Sequence, residues 1–287
     1  MKNILLCTDG SAFSENIYRY GAWFAHQFQS KVNVLLVTDI RTQKITSIGN
    51  LSGILGLGAS EQLLIELVNL EHEKARLNNQ RAKLILNNAA ETLKAQAIEE
   101  FDLTHKTGFL VDCFHEFEEN SDLIILGKRG EAAEFASGHL GANLDRIVRS
   151  SRKPCLVTPL GFQPIERILI AYDGSVSGKK ILQFLVDSPA LQSLEIHLLT
   201  IAKSSSDQTA VTRLNEAQQW LEKAGFQPIC RFLEGDPENA IAHYVQENNL
   251  NLLMMGAYGH NRIRHLVIGS TTLQILRSSN IPVMVFR

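Results

Sequence analysis

Apolar residues recur along this chain in two alternating rhythms. In the second half, short apolar runs at about 166–172, 194–201, 228–233, 251–256 and 282–286 predict strands. Amphipathic stretches near 176–187, 209–224, 238–248 and 270–278 predict helices between them. Short apolar strands bounded by turn residues and separated by such helices belong to a parallel sheet covered on both faces. On such a sheet a ligand lies at the carboxyl ends of the strands, where the strand order reverses. Asp173 ends the first strand of this half and Gly256 ends the fourth. Both border that crevice if the two strands are neighbours.

The same text is written twice. Ile4 to Ser11 matches Ile168 to Ser175 at an offset of 164, and Asp122 to Gly130 matches Asn251 to Gly259 at 129. Arg149-Ser150-Ser151 and Pro154 match Arg277-Ser278-Ser279 and Pro282 at an offset of 128. Three landmarks in one order indicate a duplicated module. The join is Pro159-Leu160-Gly161-Phe162-Gln163-Pro164. The expected domains are 1–159 and 165–287.

The falling offset shows that the first copy carries additional chain, assigned to 41–96. It opens on a Gly/Leu-rich segment, Ile48 to Gly58, readable as a lid or a partner surface. A long helical pattern follows from about Ser60 to Gln96. Leu63, Leu67, Leu70, Leu77, Leu84, Ala89 and Leu93 lie on or near one stripe, the pattern of a surface helix packed on the fold.

The richest local chemistry runs from Leu252 to Thr272. An apolar strand ends in Gly256 and Gly259, a basic loop carries His260, Arg262, Arg264 and His265, and Gly269-Ser270-Thr271 open a helix. Glycines let backbone N–H groups approach a ligand, and a helix N-terminus with small hydroxyls favours an anion. Together they describe a phosphate cradle. The plainer alternative is a strand–turn–helix whose glycines serve turn geometry and whose arginines are solvated.

The spacing G-x2-G-x9-G-[ST] over Gly256, Gly259, Gly269 and Ser270, with Asp173-Gly174-Ser175 after a first strand and Pro282-Val283 near the end, resembles the universal stress protein family. The resemblance covers nearly the whole chain outside 41–96. The insert and His139-Leu140-Gly141-Ala142-Asn143 look like its E-type tandem members. It implies two tandem Rossmann-like α/β domains, each a five-stranded parallel sheet of order 3-2-1-4-5 with helices on both faces. It also implies ATP, with or without Mg or Mn. By matching position, Ala171 and Asp173 would lie by adenine and ribose, and Thr200, at the end of the second strand, would offer the base backbone contacts. Met255, Gly256 and Gly259 would line ribose and phosphates, and Gly269, Ser270 and Thr271 would hold the phosphates. The degenerate counterpart is Asp9, Gly127, Gly130 and Gly141. There the loop is one residue longer, Ala142 replaces the hydroxyl, and Glu131 and Glu134 oppose phosphate, offset by Lys128 and Arg129.

Composition changes this picture little. A net charge of −2 over 287 residues gives no reason to expect nucleic acid, so anion binding must be local. The apolar run Ile4–Cys7 is too short for a secretory core, and no 18-residue apolar stretch predicts a membrane span. Cys7, Cys113, Cys155 and Cys230 lie far apart without metal spacing and read as free thiols of a cytoplasmic protein. Gly174 to Lys180 fails as a Walker A loop, having three residues between its glycines and Lys180 where Ser or Thr should follow Lys179. Ser175 reads as a helix cap, His197 as a core histidine, and Phe13, Trp23, Phe24 and Phe28 as packing residues. The function expected is an ATP-binding stress-response module. A slow ATPase or autokinase acting through Ser270, Thr271 or Ser175, and a nucleotide-free scaffold whose first domain takes an apolar ligand, are the alternatives. Fused copies of a pairing module imply an internal pseudo-dimer, compatible with a homodimer through edge strands 282–286 and 154–158.

Overall fold

The computed structural model describes residues 1–40, 57–130, 140–204, 206–257 and 269–287. In the first repeat the strands are β1 (Asn3–Thr8), β2 (Lys31–Asp39), β3 (Phe101–Gly108), β4 (Leu123–Gly127) and β5 (Cys155–Thr158). Its helices are α1 (Ser14–Phe28), α2 (Leu57–Ala95), α3 (Leu110–Glu118) and α4 (Ala142–Ser150). The second repeat has β6 (Arg167–Ala171), β7 (Glu195–Ala202), β8 (Ile229–Glu234), β9 (Leu252–Gly256) and β10 (Val283–Phe286). Between them lie α5 (Val176–Val186), α6 (Gln208–Lys223), α7 (Pro237–Glu247) and α8 (Ser270–Ser278). Every strand and helix expected in this half forms, with ends within a residue or so of the apolar pattern.

The strand order is β3-β2-β1-β4-β5-β10-β9-β6-β7-β8. Each repeat is therefore a parallel 3-2-1-4-5 sheet, and the two join through one antiparallel pair, β5 with β10. Val157 faces Val283, Leu156 faces Met284 and Cys155 faces Val285 across that seam. The internal pseudo-dimer is thus a continuous ten-stranded sheet. The homodimer edge expected at 282–286 and 154–158 is corrected by the same observation. Those strands satisfy one another within the chain, leaving β3 and β8 as the outer edges.

Alternate residues of the central strands feed two cores. Ile4 and Leu6, with Ile168 and Ile170, pack under α1, α2, α5 and α6. Leu5 and Leu169 face the opposite layer, under α3, α4, α7 and α8. An aromatic chain crosses from repeat to repeat on the first face: Trp23–Phe24, Phe24–Phe28, Phe28–Phe184 and Phe184–Phe286, with centroids 4.8 to 6.4 Å apart. These rings pack, as their helical spacing suggested. The linker is pinned to α1: Phe162 lies at a tilt to Tyr20, ring centroids 4.8 Å apart, and Gln163 N–H donates to the Tyr20 hydroxyl.

The long helix corrects the sequence reading. Ala89 and Leu93 are fully buried, but Leu70, Leu77 and Leu84 are 52%, 63% and 71% exposed. The end of α2 repeats that of α6, with Ile98 N–H on Leu93 O and Phe226 N–H on Leu221 O at an offset of 128. The additional chain therefore precedes the last four turns of α2, and the sheet offers no surface for the turns before them. Of the Gly/Leu segment Ile48 to Gly58, residues 48–56 lie outside the described residues, and Leu57 and Gly58 open α2.

Candidate nucleotide site

β1 lies beside β4, and β6 beside β9, so each repeat has its order reversal where a first strand meets a fourth. In the second repeat Ala171 pairs with Met255, which brings the chain leaving β6 next to the chain leaving β9. Gly174 turns that exit at φ +76, a conformation glycine adopts without Cβ strain. Asp173 closes the turn by accepting from Ser175 N–H at 2.9 Å. Ser175 caps α5, its Oγ accepting from Gly178 N–H at 3.1 Å, as the sequence suggested.

Across the crevice, Gly269 N–H donates to Ala257 O at 2.9 Å, which fixes the head of α8 against the end of β9. No side chain caps α8. Ser270 is exposed and Thr271 partly so, at the turn where a helix presents N–H groups without intrahelical acceptors. The structure thus brings Ala171, Asp173, Met255, Gly256, Gly269, Ser270 and Thr271 to one end of the sheet. Met255 is buried, forming floor. Gly259 and the basic loop, His260 to His265, lie outside the described residues.

Thr200 stands near the end of its strand. It lies two residues inside the end of β7, is 3% exposed, and donates its hydroxyl to Tyr172 O at 3.0 Å. Its side chain ties β7 to the exit of β6. Sequence reasoning missed Thr272, which is buried and donates to Gly256 O at 3.1 Å. The signal was present: a third hydroxyl residue follows Ser270 and Thr271, whereas the first repeat has Leu144. Thr272→Val should keep the volume, lose this bond, and lower stability by about 1 kcal/mol in urea unfolding.

The first repeat keeps the frame. Gly141 N–H donates to Lys128 O at 3.3 Å, repeating the closure of α8, and no side chain caps α4. Asp9 accepts from Ser11 N–H at 3.0 Å, and Gly10 has φ +77. Gly127 and Gly130 pack tightly. A Cβ on Gly127 would meet Phe13 Cβ at 2.7 Å, and one on Gly130 would meet Asp9 Oδ2 at 2.6 Å. The helix before β3 approaches this mouth, since Arg81 donates to Asp9 O and a Cβ on Gly10 would strike Ile85. Glu131 and Glu134 lie outside the described residues.

Lys128 corrects the charge balance expected there. Its Nζ donates to Ser279 O at 2.9 Å, across the seam and past the end of α8. Arg287 reciprocates with a bond to Arg149 O in α4. Burial, with Arg129 adding repulsion, lowers the Lys128 pKa to about 8. A lysine with a lowered folded pKa costs stability while both states are protonated, below about pH 8. That cost is relieved as pH rises from there toward the ordinary lysine value. Wild type should therefore gain stability over Lys128→Met between pH 7.5 and pH 10, read from urea midpoints at matched ionic strength.

His197 is the satisfied core residue expected, with Nδ1 against the Tyr244 hydroxyl and Nε2 against Glu195, both at 2.8 Å. The four cysteines are free. No helix among the described residues is long and apolar enough to cross a membrane.

A model of the Universal stress protein family matches residues 1–159 and 164–287. The chain belongs to this family. Universal stress protein Slr1230 of Synechocystis sp. is 55% identical over 287 residues, covering 100% of both chains. Among solved structures, a universal stress protein from Archaeoglobus fulgidus superposes with a TM-score of 0.71 at 21% identity, over 99% of this chain and 96% of that one. A putative universal stress protein from Pseudomonas aeruginosa gives 0.61 at 15% identity, over 100% and 93%. At such identities these two structures speak for the fold alone, and they agree with the tandem stress-protein architecture.

Proposed function

We propose that this universal stress protein binds ATP in its second repeat and serves as a stress-response binding module. The domains under this reading are 1–159 and 165–287. The observation that supports it most is the closure of Gly269 on Ala257, which sets the uncapped head of α8 beside the glycine end of β9. Such a junction offers backbone N–H groups and a dipole to a phosphate. Ala171 and Asp173 would border adenine and ribose, and Met255, Gly256 and Gly259 would line ribose and phosphates. Gly269, Ser270 and Thr271 would hold the phosphates. Thr200 would offer the base backbone contacts, its hydroxyl being engaged by the Tyr172 carbonyl.

Among the described residues no three metal-ligating side chains cluster. Mg or Mn therefore enters this reading as the companion of the phosphates. The first repeat, with Asp9, Gly127, Gly130 and Gly141, is the weaker site: Ala142 supplies no hydroxyl and Lys128 is turned toward the seam. The test is mass spectrometry of the small molecule released when purified full-length protein is denatured. ATP in the supernatant supports binding, and ADP formed from added labelled ATP would favour a slow ATPase. Absence of any adenine nucleotide, with no uptake of added ATP, would contradict the proposal.

A further inference from the structure

Away from the nucleotide site, the 39 residues of α2 span about 60 Å at 1.5 Å per residue. Its last four turns lie on the first core, where Ala82, Ala89 and Leu93 are buried. The turns before them have no packing partner among the described residues. From 65 to 81 only Leu67 and Asn78 are even partly buried. Ile65, Val68, Leu70 and Leu77 are 52% to 63% exposed, and Leu84 is 71% exposed. Leu70, Leu77 and Leu84 are seven residues apart, continuing a series from Leu63, so one face repeats with the period of a helix–helix seam. Large apolar side chains aligned in this way on a solvated helix mark a contact surface, and a helix gains most of its stability from a packed face.

The charges say what covers it. From 61 to 73 the only fixed charges are Glu61, Glu66, Glu71 and Glu73, and from 74 to 83 they are Lys74, Arg76, Arg81 and Lys83. An acidic stretch is followed by a basic one, with the change of sign between Glu73 and Lys74. Two such helices side by side in the same direction set acid on acid and base on base. Turned antiparallel about a two-fold axis near 73–74, each acidic half meets the basic half of the other, and Leu70 comes level with Leu77. The surface is self-complementary, as an isologous dimer requires. Strands β5 and β10, expected as the dimer edge, are already paired with each other inside the chain.

We propose that two copies of this protein associate through the exposed turns of α2, antiparallel, with the leucine face inside and the opposite charges flanking it. Lys74 pairs with Glu71 on its own helix at 3.1 Å, an exposed contact that can be exchanged for one across the dimer.

Sedimentation equilibrium of the full chain, over about 1–100 µM protein, tests this. A dimer is expected for wild type. Leu70→Glu with Leu77→Glu should raise the dimer Kd at least about a hundredfold while leaving the circular dichroism of the folded repeats unchanged. Glu71→Lys with Glu73→Lys should weaken the dimer about tenfold, and adding Lys74→Glu and Arg76→Glu should restore it. A monomeric wild type overturns the proposal, whether or not it floats with phosphatidylglycerol vesicles. A dimer indifferent to the leucine substitutions, or a charge reversal that fails to restore association, overturns it as well.

Discussion

Gly269→Val is expected to raise the Kd for ATP at least about thirtyfold in calorimetry on the full chain, equivalent to about 2 kcal/mol. Gly269 has φ −58 and ψ 145, which a branched residue can adopt, so the substitution should leave the helix start intact. What it changes is access. Valine adds three carbons next to the Ser270 and Thr271 N–H groups, and hydrogen bonds to a charged phosphate contribute roughly 1.5–3 kcal/mol each. Gly141→Val in the first repeat should leave ATP affinity within about twofold of wild type. Its Cβ would lie 3.4 Å from Gly130 N, tight for a methine but with room for small adjustment. Equal losses from both substitutions would contradict the asymmetry between the repeats.

The second large effect concerns the seam. Met284→Asp should lower stability by at least about 4 kcal/mol and split the unfolding transition in two. Met284 is fully buried and pairs with Leu156 on one side and Met254 on the other. A carboxylate there has no described partner, and this strand pair joins the two repeats together with the Phe28–Phe184, Lys128–Ser279 and Arg287–Arg149 contacts. Once the pair opens, the linker from Pro159 to Pro164 should become cleavable by protease at rates wild type does not show. A single cooperative transition with unchanged cleavage would mean the seam is not what unites the halves.

Much of this was legible in the sequence. The fold could be read because strand and helix periods are clean, and because a duplicated text fixes equivalences such as Asp9 with Asp173 and Gly127 with Gly256. The crevice followed from topology once Asp173 and Gly256 were placed at strand ends. What stayed hidden depends on distance in space. Lys128 looked like a local counter-charge, but it follows a strand next to the seam, and only the ten-stranded sheet brings Ser279 within 2.9 Å of it. Glu118 is another case. It is 3% exposed and accepts from Ser151 Oγ, Arg152 N–H, Lys153 N–H and His115. Burial pushes its carboxyl up, and these bonds outweigh that and hold it below the usual range. No periodicity announces such a residue.

The leucine stripe of α2 misled for a related reason. A heptad pattern states that a face wants a partner and not which partner. On the N-terminal side of Ala82 none of the described residues covers Leu70 or Leu77. Thr272 was missed because its value lies in an acceptor sixteen residues earlier, the Gly256 carbonyl.

Titration calorimetry of the full-length protein with ATP and Mg is the most direct measurement of where nucleotide binds. One saturable site per chain is expected, weakened at least about thirtyfold by Gly269→Val and retained by Gly141→Val. Two equivalent sites, or no heat at any ATP concentration, would contradict binding by the second repeat alone.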